Sequence, residues 1–222
     1  MFLGSQSLTT PTETHDYPEW HKGRKHYALW YIEIHHPELL AYLSDLTEKF
    51  SNYLLHPNTR QFHITLYICG FLTEDKKQFD DDFIQSKFQQ QLKILSQNQL
   101  NSFKLTTGKI NSFSSALFIE IQDHENSLSN IRQLLSHSSQ EIAALDYCPH
   151  ITLGLYSAEF KAQQIFKAIE TIDQKSFEIG IDQLNFGIYQ AQVLQGPLAT
   201  LHQLILNPKK TDGSWESNLC CN

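Results

Sequence analysis

The chain has 222 residues, 41% of them hydrophobic and 12% aromatic, which excludes a disordered protein and allows one substantial core or two small lobes sharing one. The formal net charge of −7, with only 17 Lys and Arg, leaves no basic stripe for a long nucleic acid apart from Lys22, Arg24 and Lys25. A nucleic-acid ligand, if there is one, is expected to be short or gripped at one end.

Residues 1–24 are polar, with Pro11 and Pro18 set among Thr and Glu. They are expected to be a poorly ordered lead-in that folds over the body through Tyr17 and Trp20. The stretch lacks a basic start followed by an apolar run, so no signal peptide is expected, and no window approaches the ~18 apolar residues that cross a bilayer. The expectation is a soluble, cytoplasmic monomer without a membrane partner.

Residues 25–207 read as a single domain. His26 to Ile34 is β-branched and aromatic and predicts a strand. Pro37 opens a helix whose apolar positions Leu39, Leu40, Leu43, Leu46 and Phe50 keep the helical period. A strand from Phe62 to Phe71 follows. Thr73 then predicts a helix cap, with Glu74 and Asp75 in the first turn and a stripe of Phe79, Phe83, Phe88, Leu92 and Leu95. On that helix Asp80, Asp81 and Asp82 would point in different directions and form a solvated face, not a metal cluster.

Strands are predicted at Phe103 to Ile110 and Ala116 to Gln122, a helix at Leu128 to Leu135, and a strand at Cys148 to Tyr156. A helix carrying Phe160, Ile165, Phe166, Ile169 and Ile172 comes next, then a strand through Phe177, Ile179 and Ile181, and a last one from Leu198 to Leu206. Residues 208–222 form a tail with adjacent Cys220 and Cys221. Cys69 and Cys148 read as buried free thiols, since no Cys-x-x-Cys spacing occurs. No G-x-G-x-x-G or P-loop occurs either. The pattern predicts an α+β fold of two antiparallel sheets with helices on their outer faces.

The tetrapeptide His-Ile-Thr-Leu occurs twice, at His63–Leu66 and His150–Leu153. The two histidines stand 87 positions apart, and so do Ile32-Glu33-Ile34 and Ile119-Glu120-Ile121, with Tyr31 answering Phe118. A shared offset over that span predicts a duplicated, pseudo-twofold fold with one His-x-Thr in each lobe and a cleft between them. Strand alternation puts His63, Thr65, Tyr67 and Cys69 on one face, and His150, Thr152, Gly154 and Tyr156 on the equivalent one. Two imidazoles in a shared groove suit acid–base chemistry near neutral pH, and two threonine hydroxyls can donate to an anion. A phosphodiester or cyclic phosphate fits those four groups. No partnered Ser or Cys nucleophile and too few oxygen ligands for magnesium are evident, so metal-free phosphoryl chemistry without a cofactor is expected.

The paired tetrapeptides resemble the two His-x-Thr-x signatures of the 2H phosphoesterase superfamily, which includes 2′-5′ RNA ligase-like proteins and cyclic phosphodiesterases. The flanks agree: the first motif runs into Cys69-Gly70-Phe71-Leu72, and Pro149 precedes His150. The resemblance covers about His26 to Leu206, mostly in the order of elements. It implies a bilobal α+β fold, a metal-free site of His63, Thr65, His150 and Thr152, and substrates with 2′,3′-cyclic phosphate or 2′-5′ linkages. One departure stands out: many 2′-5′ RNA ligase-like members place an arginine just after the second motif, where this chain has Gly154-Leu155-Tyr156.

In the resulting mechanism one histidine takes a proton from water and the other protonates the leaving ribose oxygen, with His150 as base and His63 as acid or, by the quasi-symmetry, the reverse. Tyr67 and Tyr156 would stack on a base, Arg60 or one of Lys22, Arg24 and Lys25 would reach a phosphate oxygen, and Tyr31 and Phe118 complete the substrate-binding set. Glu33 and Glu120, at matching positions, read first as strand residues facing solvent, with orienting an imidazole as the alternative. His35-His36 lacks a third metal ligand at any recognisable spacing. A nucleotide, cyclic phosphate or short oligonucleotide is the expected ligand; cyclic or 2′-5′ oligonucleotide signals and a non-catalytic nucleotide sensor are the rival readings.

Overall fold

The computed structural model describes residues 1–209 apart from 75, 143 and 145; Cys220, Cys221 and the rest of the expected tail beyond 209 lie outside the described residues. The chain runs α1 (Pro18–His21), β1 (His26–Glu33), α2 (Pro37–Lys49), β2 (His63–Thr73), β3 (Asp82–Ile84), α3 (Gln85–Gln97), β4 (Phe103–Ser112), β5 (Ala116–Gln122), α4 (Ser127–Ser136), β6 (His150–Leu155), α5 (Ala162–Glu170), β7 (Glu178–Ile181), β8 (Gln183–Gln190) and β9 (Ala199–Ile205). The strands lie in the order β7-β4-β5-β6-β2-β1-β8-β9, with β3 added in parallel to β2. Two antiparallel halves, β7-β4-β5-β6 and β2-β1-β8-β9, thus meet along β2 and β6. The two sheets expected from the sequence are joined there into one nine-stranded sheet.

That seam is narrow. Its ladder has one pair, Ile64 opposite Ile151, and those residues are 87 apart. The same offset relates the ladders on either side. Glu33, Ile32, Tyr31 and Trp30 pair with His63, Ile64, Thr65 and Tyr67, and Glu120, Ile119, Phe118 and Leu117 pair with His150, Ile151, Thr152 and Gly154. Even the bulge recurs in register, between Trp30 and Tyr31 and between Leu117 and Phe118. Beyond the seam each half borrows from the other: Leu55 N–H donates to the Leu155 carbonyl at 2.8 Å, and Ile142 N–H donates to the Ile68 carbonyl at 3.1 Å. These are again equivalent positions. A duplicated chain pairs about its internal axis as an isologous dimer does.

Where β2 leaves β6 its backbone needs other partners. Tyr147 Oη donates to the Thr65 carbonyl at 3.0 Å, Arg132 to the Leu66 carbonyl, and Glu141 accepts from Ile68 N–H at 2.9 Å. Arg132 is itself paired with Glu141 at 2.6 Å and lies 3.8 Å over the Tyr147 ring.

One face of the sheet carries the core. Trp30, Ile32, Ile64, Leu66, Ile119 and Ile151 share a cluster with the apolar stripes of α2 to α5, including Leu43, Leu46, Leu135 and Ile165, all fully or nearly fully buried. α2 starts as its sequence predicts, with Pro37 in the first turn and the His36 side chain accepting from Leu39 N–H. Among the described residues no helix is long and apolar enough to cross a membrane.

Two element predictions are corrected. The helix expected from Thr73 begins at Gln85, because Thr73 ends β2 and Asp82-Phe83-Ile84 pairs with β2. Asp81 and Asp82 are not a solvated helix face either: both accept from Arg24, at 2.5 and 2.6 Å. Tertiary pairing overrides local helix propensity here. The second correction is β8, which the sequence reading left out. Leu184, Asn185, Phe186 and Gly187 are all buried between β1 and β9, so no polar alternation marks the strand, and Asn and Gly imitate a turn.

The lead-in is not loosely attached. Leu3 N–H donates to the Ser112 carbonyl, Thr12 N–H to the Tyr156 carbonyl, and Trp20 packs 5.2 and 5.0 Å from the rings of Tyr27 and Phe71.

Candidate active site

Ile64 and Ile151 point into the core and are wholly buried, so their chain neighbours project from the other face. One ladder step on each side of this pair sets His63 beside Thr152 and His150 beside Thr65. All four side chains are partly exposed. The seam therefore gathers both motifs into a quartet around the internal twofold axis. Sequence and fold put the four groups there by the same device, a single self-equivalent isoleucine pair.

Each imidazole is oriented by the carbonyl two residues before it. His63 Nδ1 lies 2.8 Å from the Gln61 oxygen, and His150 Nδ1 lies 2.7 Å from the Cys148 oxygen. A carbonyl can only accept, so Nδ1 carries the proton and the neutral ring keeps the Nε2 lone pair for chemistry. Glu33 and Glu120 do not orient the rings; Glu120 instead accepts from Asn111 Nδ2 at 2.6 Å. Tyr31 packs edge-on to His63 at 5.8 Å, and its counterpart Phe118 packs on His150 at 5.2 Å. Both are fully buried, so they hold the rings and cannot lie flat on a ligand. Tyr31 is fixed further through its hydroxyl, 2.7 Å from Thr200 Oγ1.

Tyr67 and Tyr156, expected on the histidine face, are buried in the core at 2% and 0% exposure. The bulge at Leu66 is the reason for Tyr67: an extra residue flips the alternation, so Tyr67 pairs with core-facing Trp30. The matching bulge at Leu153 does the same to the second strand, and the Tyr156 hydroxyl ends 2.6 Å from Ser112 Oγ. Neither ring can stack on a base. Arg24 is likewise occupied by Asp81 and Asp82, and Lys22 lies over Phe79 at 4.3 Å, so neither faces the quartet.

A cavity of about 460 Å³ opens on the quartet, with His63, Thr65 and Thr152 on its wall. His150 is not on that wall; it is flanked by Phe113 and Phe118. Arg60 does reach the cavity. Its Nε donates to the Gly196 carbonyl at 2.9 Å, its guanidinium lies 4.2 Å over the Tyr189 ring, and no carboxylate among the described residues pairs with it. Burial lowers the Arg60 pKa, with Tyr189 opposing. An unpaired, partly desolvated cation beside hydroxyls and imidazoles is a place for an anion.

Sequence reasoning missed Tyr189, because it missed β8, and it missed two glutamines. Gln195 Nε2 donates to the Leu55 and Pro57 carbonyls at 3.0 and 3.3 Å while its Oε1 accepts from Leu155 N–H. Gln61 exchanges two hydrogen bonds with the backbone of Leu198. Nothing in a lone Gln signals such a stitch. Among the described residues no three His, Cys, Asp or Glu are grouped to hold a metal ion.

Burial pushes the His63 pKa down to about 4; the Gln61 carbonyl opposes this, and the charges of Arg60 and His150 add to it. His150 is lowered by burial too, against the pull of the Cys148 carbonyl. Because the unfolded value is near 6.5, the unfolded chain binds the His63 proton first as pH falls. The stability that neutral His63 contributes is complete above pH 6.5 and declines until about pH 4. We expect a loss on the order of 3 kcal/mol over that window, absent in His63→Gln, when urea unfolding of the two proteins is compared at matched pH.

These features define a duplicated α+β protein with a two-histidine face on its central seam. The chain belongs to the 2′-5′ RNA ligase superfamily, whose sequence profile matches residues 37–192. No curated protein matches the chain by sequence. Among solved structures, apo E. coli LigT is similar over 83% of this chain and 99% of its own, at 12% identity and a TM-score of 0.59. E. coli LigT complexed with 3′-AMP is similar over 82% and 98%, at 12% identity and 0.54. A protein of Thermus thermophilus is similar over 82% and 99%, at 14% identity and 0.53. At such identities the likeness is one of fold.

Proposed function

We propose that the protein is a metal-independent phosphodiesterase that hydrolyses a 2′,3′-cyclic phosphate or 2′-5′ linkage in a nucleotide or RNA end. The observation that carries this reading is the quartet: two imidazoles with fixed tautomers and two hydroxyls gathered on one face of a twofold seam, with His63 and both hydroxyls on the wall of one cavity. Solved structures of similar fold include LigT with 3′-AMP, which supports a nucleotide as ligand.

In this reading, water attacks phosphorus in line with the leaving ribose oxygen. Its proton passes to Nε2 of one histidine as the new P–O bond forms. The other histidine, held as imidazolium, gives its Nε2 proton to the ribose oxygen as the old P–O bond breaks. Thr65 and Thr152 donate to the two non-bridging oxygens, and Arg60 offsets the charge. Burial, which pushes the His63 pKa down to about 4, favours His63 as the neutral acceptor, and the donor's part then falls to His150. Of the two assignments the sequence left open, this is the one with His63 as base.

The reading is tested with a panel of nucleoside 2′,3′-cyclic phosphates, 2′-5′ dinucleotides and cyclic dinucleotides, assayed with chelator present. Turnover of at least one class is expected, with a bell-shaped pH–rate curve belonging to the histidine pair. Thr152→Val should lower kcat about 100-fold. Saturable nucleotide binding without product on the whole panel would instead make the protein a sensor. The net charge of −7 and the small cavity favour short or self-contained oligonucleotides within the panel over long RNA.

A further inference from the structure

The floor of the cavity comes from the motif strands, but one wall does not. Thr14, His15, Asp16, Tyr17 and Trp20 line it, and all precede residue 37, where the match to the superfamily begins. The wall is thus built from residues outside the matched region.

Its ends are tied down. On one side Thr9, 2% exposed, donates to the Ala158 carbonyl and accepts from Phe160 N–H, both at 2.8 Å, and Thr12 N–H donates to the Tyr156 carbonyl at 2.9 Å. On the other, the Trp20 ring is wedged against Tyr27 and Phe71, and Arg24 binds the Trp20 and His21 carbonyls at 2.9 Å. Between these anchors the hydrogen bonds of residues 13–17 stay within residues 13–21: Tyr17 Oη with Glu13, His15 with Glu13, and Asp16 with buried His21. The anchors hold the stretch in place while its side chains are left unclaimed by the body.

Those side chains are the right kind for a base. The His15 and Tyr17 rings lie 4.2 Å apart, forming an aromatic surface on the cavity wall. Tyr189 supplies another ring on the same cavity, with the Arg60 guanidinium upon it, and His63 and the threonines lie at the floor. One region of the hollow is therefore aromatic and another is cationic and hydroxylic. A nucleotide has the same division into a planar base and an anion, and a base of any identity offers a π-face for stacking.

We propose that residues Thr14–Trp20 form a nucleoside-binding wall, with Tyr17, backed by His15, stacking on the base of the nucleotide whose phosphate occupies the quartet. This rests on the quartet being the phosphate site, and the test separates the two. The full-length protein is titrated calorimetrically with adenosine 3′-monophosphate and with inorganic phosphate. Tyr17→Ala should weaken nucleotide binding about tenfold or more and leave phosphate binding within about twofold, while Tyr17→Phe keeps the wild-type affinity. Unchanged nucleotide affinity in Tyr17→Ala overturns the wall, as does an equal loss of nucleotide and phosphate, which would mark a merely structural role. Wild-type protein that binds the nucleotide no better than phosphate overturns it too. Base-dependent binding without turnover on any phosphodiester leaves the wall standing and removes only the hydrolytic reading.

Discussion

Under the proposed function, His63→Ala and His150→Ala should each lower turnover about a thousandfold or more, while both variants should unfold within a few degrees of the wild type. The size follows from what each ring supplies. Proton transfer by a placed imidazole contributes about 10²- to 10⁴-fold, and the two transfers occur in one displacement, so losing either leaves the other without its counterpart. Stability is little affected because each ring makes one hydrogen bond, to a carbonyl that can take water instead, and burying it incurs a desolvation cost that Ala avoids. Steady-state kinetics on the best cyclic phosphate, paired with thermal unfolding, checks both halves of the statement. Either variant retaining a tenth of wild-type activity would end the paired-histidine mechanism.

Arg24→Ala has the largest expected effect on folding. Its side chain is 12% exposed and donates to Asp81, Asp82 and the Trp20 and His21 carbonyls, and it lies 3.8 Å over the Phe71 ring. Asp82 is buried to 1%, yet its pKa is lowered: burial works to raise it, and Arg24 with the amides of Phe79 and Gln78 outweighs that. Without the guanidinium a buried carboxylate keeps only two amide donors. Breaking such a pair costs about 3–5 kcal/mol, which for a chain of this size lowers Tm by roughly 10 °C. Adding Asp82→Asn removes the stranded charge and should recover part of the loss in the double variant. Calorimetry showing Arg24→Ala within 2 °C of wild type would mean the ion pair is spectator to folding (threshold set at about 1 kcal/mol).

Much of this was legible in the residues. The 87-residue offset announced a duplicated fold, and the structure carries that offset into the ladders, the bulges and the exchanged hydrogen bonds. The superfamily was legible in two tetrapeptides. What the sequence hid was the consequence of the bulges, because simple alternation counts every residue and the ladder skips Leu66 and Leu153. Tyr67 and Tyr156 were misassigned for that reason alone. β8 escaped because a strand covered on both faces has no polar side, and with it went Tyr189. Long-range partners such as Arg24 with Asp82, or Gln195 with the Leu55 carbonyl, leave no mark on local pattern.

An axis of symmetry has a chemical drawback. Two equivalent halves acting on an ester with two different ends would accept it forwards or backwards and yield both regioisomers. The two halves of this chain differ at the cavity: Arg60 lines it, whereas its counterpart Tyr147 donates to the Thr65 carbonyl. In the proposed reaction, regiochemistry would therefore fall to the residues that differ between the halves and not to the repeated tetrapeptides.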